Sequence, residues 1–185
     1  MVSMSSAEVV AVSRAAEHGF AKQPQDFVEL IAGEGVAGDA HRGVTVQHLY
    51  QVRRDPTQPN LCQVHLLEVE KLDELAADGI ELGPGEMGEN VLTRGIDLLV
   101  LPRQAVLRLG AEAVVEITGL RTPCSQIDGY RRGLQARMWG PRDAHGVRER
   151  RAGVMAIVRV GGVVAAGDAI VVELPAGLHV ALGPV

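Results

Sequence analysis

The sequence predicts a mainly β fold: a closed or partly closed β-barrel with a few peripheral helices. Three observations lead there. Short apolar runs alternate with Gly and Pro along 185 residues, and several of these runs are rich in β-branched residues. Only one stretch carries a convincing helical period, whereas a doubly wound α/β fold needs a helix for each crossover. The length suits a single domain over 1–185, with a core over about 8–174 and a peripheral tail over 175–185.

Val9 to Val12 opens the chain as a strand. Gly33 to Asp39 reads as a turn-rich loop, because glycine permits positive φ. Asp55 to Asn60 is a second loop, whose prolines fix φ and remove donors. Gln63 to Leu67 is a strand that leads into a helix over Glu68 to Asp78. There Val69, Leu72, Leu75 and Ala76 recur at helical spacing, and Gly79 supplies the stop. Gly83-Pro84-Gly85 breaks the pattern again. Asp97 to Val100 and Ala105 to Leu109 are short strand candidates on either side of Pro102. Ala113 to Thr118 is β-rich, and Gly129 to Gly140 holds a helix or an irregular insertion. Val154 to Val160 and Ile170 to Leu174 read as buried strands, joined through Gly161-Gly162 and the turn at Gly167-Asp168.

Composition excludes several classes. Apolar residues are 46% and charged residues 22%, which is globular rather than disordered. Aromatics are only 3%, and a net charge of −5 offers no overall field for nucleic acid. Arg131, Arg132, Arg137, Arg142, Arg148, Arg150 and Arg151 nevertheless crowd one segment. They form either a solvated face or a cationic rim for a phosphorylated ligand. No stretch reaches about 18 uninterrupted apolar residues, so no membrane span is expected. Met1 to Gly19 has no apolar core of the signal-peptide kind. Two cysteines cannot build a disulfide framework. The expected compartment is the cytoplasm, where thiols stay reduced.

Four places carry polar chemistry. Cys124 follows Gly119-Leu120-Arg121-Thr122-Pro123 at the end of a β-rich run. Pro123 stiffens the approach and biases Thr122 to an extended conformation. A thiol at a strand exit can face a pocket, and a guanidinium such as Arg121 pointing the same way favours the thiolate. That form binds soft metals and attacks sulfur. The alternative is a buried structural cysteine. Cys62 reads as incidental or structural, since no C-x-x-C or four-ligand zinc pattern surrounds it. Gly85 to Gly95 brings glycines that admit close backbone approach, together with Asn90, Thr93 and Arg94 as hydrogen-bonding groups. Its alternative is a tight connection in which Asn90 bonds local backbone. Asp39-Ala40-His41 can orient an imidazole by charge, although short pairs of this kind are common. Walker A, dinucleotide and nucleophile-elbow motifs are missing.

Taken together these segments resemble the MOSC family, named for the C-terminal domain of molybdenum cofactor sulfurases. Five stretches carry the likeness in family order. They are Gly35 to His41, Gln63 to Glu68, Gly88 to Thr93 leading to Gly95-Ile96-Asp97, Arg121-Thr122-Pro123-Cys124, and Val164 to Ile170 with its Gly167-Asp168. The resemblance implies a β-barrel with a pocket for the pyranopterin (molybdopterin-type) molybdenum cofactor. It implies that Cys124 ligates molybdenum or carries sulfur. Asn90 matches the family's Gly-Glu-Asn asparagine, Thr93 shares its segment, and Arg121 matches the arginine of the cysteine motif. Asp39, His41 and His65 become pocket-wall residues, and Arg94 a donor to the cofactor's phosphate. Beyond His41 the sequence departs from members that place His-Gly-Gly there.

The implied activity is reduction of N-hydroxylated small molecules, with the cofactor supplying the redox chemistry and a separate protein the electrons. The second function is sulfur carriage or transfer on a Cys124 persulfide, fed by a separate donor protein. A third is a plain β-barrel adaptor. The chain carries no pyridoxal-phosphate sulfurase domain, so that cofactor would act only on a separate partner. Neither nucleic acid nor membrane is an expected partner.

Overall fold

The computed structural model describes residues 7–185. Residues 1–6, which are part of the segment read as free of a leader, lie outside the described residues. The described residues form thirteen strands and four helices. In order, they are β1 (Glu8–Arg14), β2 (Gln23–Gln25), β3 (Phe27–Ile31), β4 (Gly35–Val36), α1 (Leu49–Arg54), β5 (Val64–Glu68), α2 (Val69–Ala77), β6 (Val91–Arg94), β7 (Val106–Leu109), β8 (Ala113–Leu120), α3 (Ser125–Tyr130), α4 (Leu134–Arg137), β9 (Trp139–Arg142), β10 (Arg148–Arg150), β11 (Val154–Val160), β12 (Gly162–Ala165) and β13 (Ile170–Glu173).

Eight strands form one mixed sheet in the order β13-β7-β8-β11-β5-β6-β1-β2. Only β5 and β6 run parallel within it, with Leu66 opposite Val91 and Glu68 opposite Thr93. A three-stranded sheet, β12-β3-β4, and the hairpin β10-β9 complete the β structure. The fold is thus mainly β, as the sequence predicts, but the expected barrel closure is not seen as a sheet. The large sheet is open, ending at β13 and β2. Ala169, just before β13, makes one isolated bridge to Glu8 of β1, flanked by the backbone bonds Val9 N–H to Asp168 and Ile170 N–H to Ala7, both 2.8 Å. β2 occupies the outer edge of β1 from Val12 to Arg14, leaving only the start of β1 for the far end of the sheet.

Strand alternation decides what faces what. Side chains two apart share a face, so Val64 and Leu66 of β5 point into one core and Leu67 into the other. The larger core lies between the large sheet and the three-stranded sheet, and joins Val12, Leu66, Val91, Ile117 and Val154 to Val28, Leu30, Val36 and Val164. The second core lies on the opposite face. There Leu72 and Leu75 of α2 pack with Leu67, Met87, Leu92, Ile127, Leu134, Met138 and Ala152. Each such leucine withdrawn from water contributes on the order of 2 kcal/mol. The second core seats α3 and α4 against the sheet, and so fixes the segment that begins at Cys124.

The helix read from Glu68 to Asp78 is α2, and it ends as expected. Gly79 has φ of 82°, and the amides of Gly79 and Ile80 bond Ala76 and Leu75 at 2.9 and 2.8 Å. That pair of bonds satisfies the last carbonyls of the helix. The strand expected over Asp97 to Val100 is a turn instead. Glu68 Oε1, from thirty residues away, accepts the Leu98 amide at 2.6 Å, and Asp97 accepts that of Leu99 at 3.2 Å. Side chains therefore take the donors that a ladder would need. The expected few peripheral helices are α2 and the short α1, α3 and α4. Gly129 to Gly140 holds the end of α3, all of α4 and the start of β9. The 175–185 segment has no helix, yet Leu120 N–H bonds Gly183 at 2.8 Å and Arg103 N–H bonds Val180 at 2.8 Å, which ties it to the sheet. No helix among the described residues is long and apolar enough to cross a membrane.

Candidate functional site

Asp39 is the hub of a buried polar cluster. Its Oδ2 accepts Lys22 Nζ at 2.5 Å, Asn90 Nδ2 at 3.0 Å and the Ala15 amide at 3.2 Å. Its Oδ1 takes the His41 amide at 2.9 Å and faces His41 Nδ1 at 3.2 Å. Burial pushes this carboxyl up, but the His41 bonds and the Lys22 charge outweigh it and hold the group below the usual carboxylate range. Burial likewise lowers the Lys22 ammonium, with Asp39 opposing.

Local sequence makes this cluster possible. The 15–22 segment crosses over the Gly85–Asn90 loop, and Lys22 N–H bonds Gly85 at 2.8 Å. A Cβ on Gly85 would lie 2.3 Å from the Lys22 carbonyl, and one on Gly88 2.5 Å from that of Phe20. Both glycines also have positive φ, 82° and 79°, so no other residue fits without moving the crossing segment. Glu89 closes the loop on itself, accepting the amides of Gly85 at 2.5 Å and Met87 at 3.2 Å.

Asn90 is buried and fully engaged with protein. Its Oδ1 accepts the His65 amide at 3.1 Å, and its Nδ2 donates to Ser13 at 3.1 Å as well as to Asp39. It ties the end of β1, the start of β6 and the Asp39 turn to β5. His65 is buried with Nε2 2.7 Å from the Ala152 carbonyl. Burial holds its imidazole well below the ordinary value, against the Ala152 carbonyl bond.

Arg121 brings Cys124 towards this cluster. Its guanidinium donates to the Met87 carbonyl at 2.5 Å and lies 5.5 Å from the Phe20 ring centroid. Burial pushes it below its ordinary value, opposed by charge on Cys124, Glu89 and Cys62. Cys124 is partly exposed just before α3, with Gln126 Oε1 3.8 Å from Sγ. Cys62 is buried, and burial pushes its thiol up to about 11.

Three residues missed in the sequence belong here. The His48 ring lies tilted by 36° against that of His41 with centroids 4.4 Å apart, and His18 meets His41 edge-on at 5.1 Å. Burial, then the charges of His41, Arg121 and Lys22, lower His48 to about 4. Lys22 gave no sequence signal at all: its partner Asp39 is seventeen positions away. For the imidazoles, Asp39-Ala40-His41 was a signal, and His48 lies seven residues further on.

The structure thus brings together Asp39, His41, His65, Asn90 and Arg121, with Cys124 at the edge. It does not bring Thr93 and Arg94 to them. Thr93 is wholly buried, its hydroxyl on the Leu67 carbonyl at 3.3 Å. Arg94 is exposed and pairs with Glu8 at 3.6 Å. Glu8 starts β1 and Ser13, the Asn90 partner, sits near its end. Arg94 and Asn90 therefore occupy opposite ends of the same strand pair.

One cavity lies elsewhere. It has a volume of about 520 Å³ and lies between α2, the 95–100 turn and Arg151. The Cys124 turn is a partly exposed segment close to the Arg121 guanidinium. Among the described residues, no group of three or more His, Cys, Asp and Glu side chains is placed to hold a metal ion. A metal here would have one protein sulfur and no protein cage.

Fold and site together define a small β protein with a partly exposed thiol at the border of a buried, cation-rich cluster. A family profile described as the MOSC domain matches residues 53–171. The chain belongs to the MOSC domain family, which is associated with molybdenum cofactor binding. Solved structures agree on the fold. The YUAD protein from Bacillus subtilis superposes with a TM-score of 0.74 at 23% identity, covering 92% of this chain and 97% of that one. YiiM from Geobacillus stearothermophilus gives 0.64 at 15% identity over 95% and 79% of the two chains. YiiM from Escherichia coli gives 0.60 at 16% identity over 93% and 72%. No curated protein matches the sequence.

Proposed function

We propose that this chain binds the molybdenum cofactor with Cys124 as its sulfur ligand and reduces N-hydroxylated small molecules. The observation that carries this reading is the placement of a partly exposed Cys124 thiol beside the half-buried Arg121, next to the Lys22–Asp39–His41 cluster. The donor set fits the group. Cys124 offers a soft sulfur with an open side, and Lys22, Arg121 and the imidazoles of His41 and His48 offer charge and donors to an anionic cofactor. Once bound, the cofactor supplies the redox chemistry, and a separate protein supplies electrons.

The roles of the chain's own residues follow from their contacts. Asp39 holds Lys22 and orients His41 through Nδ1, leaving Nε2 for a ligand. Asn90 and His65 support that arrangement from behind through backbone bonds. Arg121 fixes the 85–90 loop to the Cys124 strand exit. Thr93 and Arg94 have no part in this reading. We take the protein to act as a single domain whose two sheets enclose a barrel-like core, in the cytoplasm.

The test is metal and pterin analysis of protein made in a cofactor-producing host, set against Cys124→Ser. The expected result is molybdenum in the wild type and at least a tenfold loss in the variant. Wild-type protein without molybdenum or pterin, but with a labile 32 Da adduct on Cys124 (about one sulfur), would replace this function with sulfur carriage.

A further inference from the structure

The hairpin β9–β10 sets like charges against one another. Arg142 and Arg148 are direct cross-strand partners, and Arg150 is opposite Trp139. Like charges placed opposite each other on a strand pair destabilise it. Several other arginines find a carboxylate: Arg94 takes Glu8, Arg108 takes Glu173, Arg137 takes Asp78 and Arg159 takes Glu116. Among the described residues Arg142, Arg148 and Arg150 have none, in a chain with 23 acidic and 18 basic residues. The carboxylates closest in sequence are taken. Glu149 pairs with Arg151 at 2.6 Å, and Asp143 accepts the amides of His145 and Val147 at 2.8 and 2.9 Å.

The three guanidiniums are also held in place, Arg142 by donating to the Gly146 carbonyl at 2.5 Å. Arg148 and Arg150 each lie 5.4 Å from the Trp139 ring centroid. Arg150 Nε donates to Thr122 Oγ1 at 3.2 Å, two residues before Cys124. Gln135 reaches Pro123 at 3.4 Å and so joins α4 to the same turn. The cationic face therefore adjoins the Cys124 turn, on planar guanidiniums suited to bidentate contact with a phosphate.

We propose that the Arg142–Arg148–Arg150 face binds the phosphate of a phosphomonoester substrate and presents the rest of that molecule to Cys124. This rests on Cys124 as the reacting centre, but the phosphate contact itself can be measured without any bound cofactor. Trp139 is the only tryptophan in the chain, so its emission reports on the two guanidiniums beside it.

The experiment titrates ribose 5-phosphate into the purified protein at low ionic strength, where surface charge is least screened, with ribose as control. Expected is a saturable change in Trp139 emission that ribose does not produce, weakened at least tenfold in Arg142→Gln/Arg148→Gln and retained in Cys124→Ser. The Arg142→Lys/Arg148→Lys variant, which keeps the charge, should hold an intermediate affinity. Ribose 5-phosphate should also raise the thermal midpoint of the wild type and leave that of the double Gln variant unmoved. No saturation up to about ten millimolar (a Kd weaker than 2–3 kcal/mol of binding), or an equal response to ribose, overturns the proposal. So does undiminished binding in a folded double Gln variant. Phosphate binding by protein that never holds molybdenum would leave this site standing and remove the cofactor reading. Molybdenum without phosphate binding would do the reverse.

Discussion

Asn90 reads from sequence either as a donor to a ligand or as a group that ties protein together, and in the fold its amide joins three segments. Replacing it by Ala leaves the His65 amide and the Ser13 carbonyl unsatisfied and buried, and removes one donor from Asp39. Each orphaned group costs about 1–3 kcal/mol. Asn90→Ala is therefore expected to lower unfolding stability by roughly 2–4 kcal/mol in a urea titration. A loss under about 0.5 kcal/mol coupled to loss of molybdenum would return Asn90 to the role of a ligand. Cys124 was legible because proline, a β-rich run and a thiol each have a local meaning. Lys22 was not, since a lone lysine in a polar stretch acquires its meaning only when Asp39 folds against it.

At the scale of the element, the same division holds. β8 and β11 were legible from their β-branched runs, and α2 from its apolar spacing and its glycine stop. β2, β9 and β10 read Gln-Pro-Gln, Trp-Gly-Pro-Arg and Arg-Glu-Arg, compositions that say nothing of pairing. They are strands because a neighbouring edge supplies partners. The turn at 97–100 was misread for a related reason: its donors go to Glu68, which sits at the junction of β5 and α2. That carboxyl is buried, and burial first, with the charges of Asp97 and Glu70 adding, raises it from 4.5 to about 7 against the bond from Leu98. The folded state thus holds this proton more tightly than the unfolded chain. Stability from Glu68 falls as pH rises from about 4.5 to about 7, and the full cost remains above that. Glu68→Gln keeps an acceptor for Leu98 and cannot ionise. It is expected to match the wild type at pH 4 and to exceed it by roughly 1–3 kcal/mol at pH 8. Equal gains at both pH values in urea titrations would show that ionisation is not the cause.

Across the whole molecule, the contacts that sequence could not reveal are those that join distant parts of the chain. The end of the large sheet meets β1 through Asp168 and Ile170, and the last residues run along β8 through Gly183 and Val185. The second of these contacts matters to the site, because β8 ends at Leu120 and the next residue is Arg121. Gly119 lets the tail approach. A Cβ there would lie 2.4 Å from Val185 Cγ2 and 2.6 Å from the Gly183 carbonyl. Backbone cannot give way as a flexible side chain can, so Gly119→Ala should lift the tail from β8. Leu120 N–H, now on Gly183 at 2.8 Å, would lose its partner and exchange with solvent far faster. Global stability should fall only by about 1–2 kcal/mol, because the two cores keep their buried leucines. Hydrogen exchange followed residue by residue separates these effects. Faster exchange at Leu120 with protection retained at Val115 and Ile157 is expected. Unchanged protection at Leu120 would mean that the tail and the strand leading to Cys124 are not coupled.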